Sequence, residues 1–169
     1  NNYGSFLSTE ELFKFYNNRL FLFFIVISIY GCSDANRWLS KSASVENSVW
    51  HKERALNMSF DISDTIRLFD FIVDIRHNDR YKYSNLYLFV DIQFPNGKVS
   101  SDTLELTLAD ATGEWIGTGA GSLYEVGYTF KDRKKFPLSG VYNVSFHHGM
   151  REDEVEGITD VGLSIDYSI

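Results

Sequence analysis

Among the 169 residues there is one cysteine, Cys32, and positive charge is scarce, with 16 Lys and Arg against 23 Asp and Glu for a net charge of -7. A single thiol excludes an intrachain disulfide framework and any cysteine-based structural zinc site. A net acidic chain lacks the basic face that collects phosphates, so no nucleic-acid partner is expected. The sequence has no G-x-S-x-G and no recognisable Ser/His/Asp grouping, the signatures of nucleophilic hydrolases. His147-His148 is the sole histidine pair. Neighbouring strand residues point to opposite faces, so the two rings do not converge on one ion and no metal is assigned. The acidic stretch 151–156 reads as a solvated turn, since a calcium loop alternates its oxygen ligands around a glycine. Gly117-Thr118-Gly119-Ala120-Gly121 fails the dinucleotide pattern, whose third glycine would fall at Ser122, and no phosphate-binding lysine follows. It predicts a tight crossover beneath Trp115, where only glycine lets two backbones approach. No catalytic residue and no cofactor is assigned.

Long apolar runs are also scarce, and the one present is short. Residues 20–29 (LFLFFIVISI) follow Lys14 and Arg19. As a helix this run is ~15 Å long, about half of a bilayer's hydrocarbon core. A positive flank, a short apolar stretch and a small residue at its end are the parts of a secretory signal. The run ends at Ile29-Tyr30-Gly31-Cys32, which resembles the lipobox of bacterial lipoproteins, with Ile29 in the leucine position and Tyr30 departing from the small residue usual there. Residues 1–31 are therefore expected to be a signal peptide, cut before an acylated Cys32. A core helix would show a 3.6-residue period, which this run lacks. Residues 33–48 are rich in Ser and Asn and predict a polar tether with a reach of ~20–24 Å. The other reading of this stretch is a strand that begins as early as Trp38.

From Val49 the period is two. Phe69, Phe71, Val73 and Ile75 alternate with Asp70 and Asp74. Leu86 to Phe94, Leu104 to Leu108, Tyr142 to Phe146 and Val161 to Tyr167 repeat the pattern, which marks half-buried strands. His77-Asn78-Asp79, Pro95-Asn96-Gly97, Thr112-Gly113 and Ser139-Gly140 punctuate them as turns. With further strands near residues 50–62 and 123–130, residues 49–169 predict an all-β fold, an antiparallel β-sandwich of about seven or more strands. Only residues 150–157 read as helical, for one or two turns.

An ordered series of short motifs then acquires a likeness. Asp64-Thr65, Ile75-Arg76-His77-Asn78, Phe94-Pro95-Asn96-Gly97, Asp102-Thr103-Leu104, Gly113-Glu114-Trp115-Ile116-Gly117-Thr118-Gly119, Gly149-Met150-Arg151 and Gly157-Ile158-Thr159-Asp160-Val161-Gly162 together resemble the gliding-motility-associated lipoprotein family GldH of the Bacteroidetes. The likeness runs over residues 50–165. It implies a lipoprotein of the outer membrane, held through acylated Cys32 with its periplasmic face favoured, that serves the motility and secretion apparatus. It implies no enzymatic reaction.

Several residues carry candidate roles of their own. Arg76 and Arg151 each follow an apolar residue where a strand ends, and a guanidinium there either locks loops by pairing with Asp64, Asp102 or Asp160, or clamps a ligand. Trp115 is an interaction or loop-locking candidate. Thr65 and Thr103 sit in Asp-Thr-aliphatic triplets. Such a triplet reads either as a local Asx turn or as the O-glycosylation acceptor used on exported proteins of the Bacteroidetes. Tyr81, Tyr83, Tyr87, Trp115 and Tyr124 offer rings either to the core or to a bound glycan. Two function classes follow. The first is a non-catalytic, lipid-anchored assembly or scaffold module docking on an envelope protein. The second is a surface-anchored glycan-binding sandwich, which requires an exposed aromatic strip.

Overall fold

Alternating side chains become strands wherever one face can be buried. The computed structural model describes Asn36–Ile169; the signal run and Cys32 lie outside the described residues. The strands are β1 (Arg37–Ser44), β2 (Val49–His51), β3 (Leu56–Ile62), β4 (Phe69–Asn78), β5 (Asn85–Gln93), β6 (Val99–Thr107), β7 (Thr118–Ala120), β8 (Leu123–Lys134), β9 (Gly140–His148), β10 (Glu154–Glu156) and β11 (Ile158–Tyr167). Two antiparallel sheets face each other, one of order β1-β11-β4-β8-β7 and one of order β3-β9-β5-β6, with β10-β2 as a small third ribbon. Strand β4 buries Phe69, Phe71, Val73, Ile75 and His77, while Asp70, Asp74 and Arg76 face outward. Strand β5 buries Leu86, Leu88, Val90 and Ile92 against them. Each such side chain contributes ~1.5–3 kcal/mol relative to exposure, so the all-β sandwich follows from the alternation.

Two expectations give way here. Residues 37–44, assigned to the tether, form strand β1, which pairs along Arg37–Ser44 with β11. The folded domain thus begins before Val49. Ser40, Ser42 and Ser44 are exposed, and an edge strand with one wetted face has the polar composition of a linker. Trp38 anchors it edge-on to Phe60 and Phe69, with ring centroids 6.3 and 5.8 Å apart. Residues 150–157 are not helical. Glu154–Glu156 is β10, with Val155 buried opposite Trp50.

The strand registers give the sandwich two unlike ends. At the proximal end the chain enters at Asn36, whose carbonyl accepts from the Tyr167 amide at 2.8 Å; Tyr167 pairs with Phe69, and Phe69 with Lys134. The loops after β3, β5 and β8 meet there. Between the sheets at this end Phe136 is buried against Phe60, Phe69, Phe71 and Tyr142, with centroids 5.0–5.9 Å apart. The loops after β4, β6 and β9 form the distal end.

Candidate functional site

Strand β4 sets the first candidate site on the outer face of the five-stranded sheet. Asp74 pairs with Gly162 of β11 on one side and Gly127 of β8 on the other. A Cβ on Gly127 would lie 2.9 Å from Asp74 Oδ1, and one on Gly162 would lie 3.0 Å from Asp74 Cβ. Beside the bare backbone of Gly162 lies a groove of about 100 Å³, lined by Ser40, Ser42, Asp74, Arg76, Glu125 and Asp160 among others. Asp74 accepts a hydrogen bond from the Ser164 hydroxyl, which in turn accepts one from Arg37.

Arg76 borders the groove. It donates to Glu125 Oε2 from Nε at 3.1 Å and from Nη2 at 2.6 Å, and its Nη1 lies 3.8 Å from Asp160 Oδ2. Of the three anticipated acids only Asp160 pairs with it; Asp64 pairs with Arg67, and Asp102 with Lys131 at 2.6 Å. The clamp joins β4 to β8 and β11, so it ties strands rather than loops. Glu125 carries no signal in the sequence, because its place opposite Arg76 depends on the β4–β8 register, which no local pattern reveals.

Burial raises the Asp74 carboxyl above its ordinary 3.8. The folded chain therefore keeps this proton at a pH where the unfolded chain has lost it. The contribution of Asp74 to stability is greatest below the unfolded value and is lost as pH rises through the folded one. Asp74→Asn retains an acceptor for Ser164 and carries no charge. It is expected to raise Tm at pH 7, with the gain shrinking toward ~pH 3, as followed by thermal melts across that range.

The second cluster closes the distal end. Trp115 is half-buried and packs edge-on against His77 at 4.6 Å, while Tyr124 stacks on the same imidazole at 5.5 Å. His77 is fully buried, and burial lowers its pKa, holding it neutral. Asp110 accepts from the amides of Thr112 and Glu114, and Ala109 bridges to Trp115, so the loop after β6 is folded back on itself and pinned. The glycine-rich stretch that follows is the short edge strand β7. Gly117 has φ +108, and a Cβ there would sit 2.2 Å from the Glu125 carbonyl oxygen. This is the close backbone approach anticipated for it.

The remaining candidates are scattered. Arg151 is exposed in the distal loop after β9, beside buried Met150. Thr65 lies in an Asx turn at the proximal end, where Asp64 accepts from the Ile66 and Arg67 amides at 2.9 and 3.1 Å. Thr103 is exposed in the middle of β6. Its neighbour Asp102 makes no turn but reaches across the sandwich to Lys131 on β8. His147 and His148 point to opposite faces; His148 is buried against Trp50 at 5.4 Å. Of the five rings considered for ligand contact, Tyr81 is buried, Tyr83, Trp115 and Tyr124 are half-buried, and Tyr87 is exposed. Phe89, 45% exposed on the same face as Tyr87, has no distinguishing signal in the sequence, because it falls on the outward side of an otherwise conventional strand. Among the described residues no three His, Cys, Asp or Glu side chains are grouped to hold a metal.

Comparison with known proteins places these features in a wider set. The profile of a family described as GldH lipoprotein matches residues 37–165. A protein of Christiangramia forsetii named gliding motility lipoprotein GldH homolog is 38% identical over 156 residues, covering 88% of this chain and 95% of the relative. The gliding motility lipoprotein GldH of Flavobacterium johnsoniae is 32% identical over 152 residues, covering 86% and 93%. Among solved structures, a carbohydrate-binding module specific for non-crystalline cellulose aligns over 82% of this chain and 78% of its own, with 15% identity and a TM-score of 0.46.

Proposed function

The chain belongs to the GldH lipoprotein family, and from that premise we propose that it is a non-catalytic envelope lipoprotein of the gliding-motility and associated secretion machinery. In this reading acylated Cys32 holds it in the outer membrane on the periplasmic side, and the distal end of the sandwich docks on another envelope protein. The observation that carries the docking role is the construction of that end. Its loops are pinned from within by Trp115 on His77, by the Asp110 turn, and by Gly157, whose amide donates to Ser48 and whose carbonyl accepts from Asn78, both at 2.8 Å. They present Glu53, Asp79, Glu114, Glu152 and Asp153 to solvent. A preformed, charged surface is what a specific protein contact uses to avoid the entropy of ordering loops on binding.

The test is a photo-crosslinking residue placed at Glu114 or at Arg151 of the chain in its native envelope, with Thr129 on the outer sheet face as the comparison. A discrete adduct with an envelope protein from the two distal positions is the expected result. None from either, with the protein present at normal abundance, overturns the docking role. Intact mass of the membrane-extracted chain reads the anchor: cleavage before Cys32 plus acyl chains is expected, and both are lost in Cys32→Ala.

Exposed Tyr87 and Phe89, adjacent on a face that also carries Asn57, Asn143 and Thr103, favour one second reading, a glycan-binding sandwich. Oligosaccharide binding that disappears in a Tyr87→Ala, Phe89→Ala double variant would establish it.

A further inference from the structure

The proximal end combines exposed aliphatic side chains with uncompensated lysines, at the place where the chain comes in from Cys32. Four of the large hydrophobic side chains left exposed are gathered there: Ile66 in the β3–β4 loop at 78%, Val99, Val141 and the terminal Ile169. Between them the β5–β6 turn supplies Lys98, and the β8–β9 connection supplies Lys134 and Lys135, all exposed. Neither Lys98, Lys134 nor Lys135 has an ion-pair partner among the described residues, whereas the nearby acids are largely taken. Asp64 is held by Arg67, Asp102 by Lys131 and Asp166 by Arg37, while Asp70 accepts from the Arg133 amide. Asp61 and Asp132 are the exposed acids that remain. Beside Lys134 and Lys135 a cleft of about 290 Å³ opens between the sheets, floored by Phe71, Ile92, Phe94 and Tyr142.

A net acidic chain that concentrates free lysines among protruding aliphatic groups has built a surface complementary to an anionic, apolar-backed layer. We propose that the proximal end docks on an anionic phospholipid surface, with Lys98, Lys134 and Lys135 on the headgroups and Ile66 reaching the interfacial region. The orientation rests on the reading that Cys32 is acylated. Cys32 precedes Asn36 by four positions, ~14 Å of fully extended chain, so an anchor there keeps this end, and not the distal end, within a Debye length or two of the lipid. The acidic distal surface is then turned away from the membrane and toward a partner.

The surface contact is separable from the anchor. In the mature chain, residues 32–169 with Cys32→Ser, which carries neither the apolar leader nor an acyl group, Ile66→Cys gives a single thiol for an environment-sensitive fluorophore. Vesicles of phosphatidylcholine with 30% phosphatidylglycerol (roughly the charge of an anionic bilayer) are compared with phosphatidylcholine alone. The expected result is a blue shift at position 66 and tighter binding on the anionic vesicles, both falling with added salt. Lys98→Glu, Lys134→Glu and Lys135→Glu together should lower that binding on the order of a hundredfold, while Lys52→Glu with Arg151→Glu at the distal end should leave it unchanged. Equal response to both vesicle types, or equal loss in the distal variant, overturns the proposal. Because the acyl group is absent here and is read separately by intact mass, an acylated chain without this lipid preference would refute the docking surface and leave the anchor standing.

Discussion

Gly157→Ala is expected to lose roughly 2–5 kcal/mol of stability, from ~1–2 for a left-handed backbone and ~1–3 for overpacking. Gly157 has φ +93, and a Cβ there would lie 2.2 Å from the Tyr81 backbone nitrogen and 2.6 Å from its Cα. Backbone cannot swing aside as a flexible side chain does, so the turn after β4 must move. Doing so would disturb the hydrogen bonds from Asn78 and to Ser48 that tie the distal loops together. Such a loss is a large part of a typical domain's 5–15 kcal/mol. Gly97→Ala supplies the contrast, since Gly97 has φ +83 with open space around its missing Cβ. Only the backbone cost of ~1–2 kcal/mol applies there. Urea denaturation of the two variants beside the parent measures the difference, and comparable losses would show that the contact with Tyr81 is not the cause.

The second large effect lies at the other end. Phe136→Ala is expected to cost about 3–5 kcal/mol, because its 2% exposed ring fills the space among Phe60, Phe69, Phe71 and Tyr142. Those four rings sit on strands of both sheets, so they cannot collapse onto the vacancy without sliding one sheet over the other. Ile66→Ala, which removes an exposed side chain nearby, should stay within ~0.5 kcal/mol. Denaturant midpoints at unchanged m-value would check both. A Phe136→Ala loss below ~1 kcal/mol would mean that the cleft beside it closes readily.

The central strands were legible because each buries alternate residues on one side, as Phe69, Phe71, Val73 and Ile75 do on β4. Strand β1 was legible only as the second of two readings, because four of its eight side chains, Ser40, Lys41, Ser42 and Ser44, face water and its pairing is made by backbone groups common to every sequence. Strand β10 holds a single buried residue, Val155, too little to set a period. The groove at Asp74 was invisible for another reason. It exists because Ser40 and Ser42 of β1, Gly162 of β11 and Glu125 of β8 are brought around Asp74 by strand register. The Arg76 clamp is half legible: Asp160 is among the acids the sequence offers it, whereas Glu125 is fixed by register. Lys98, Lys134 and Lys135 were unremarkable in the sequence, because surface lysines acquire meaning only when loops gather them at one end.

Among the described residues strand β1 hydrogen-bonds to β11, the last of the described strands, and to no other. A chain delivered N-terminus first therefore presents Arg37–Ser44 early and must wait for Ile158–Tyr167 before that strand has a mate. The segment nearest the expected lipid attachment site is then among the last to be locked into structure, and it remains slack while the rest of the chain arrives. Pairing of two strands so far apart in the chain carries a high loop entropy and slows folding relative to local hairpins. On the proposed reading that Cys32 is acylated, strand β1 is still without its partner while the modifying enzymes act.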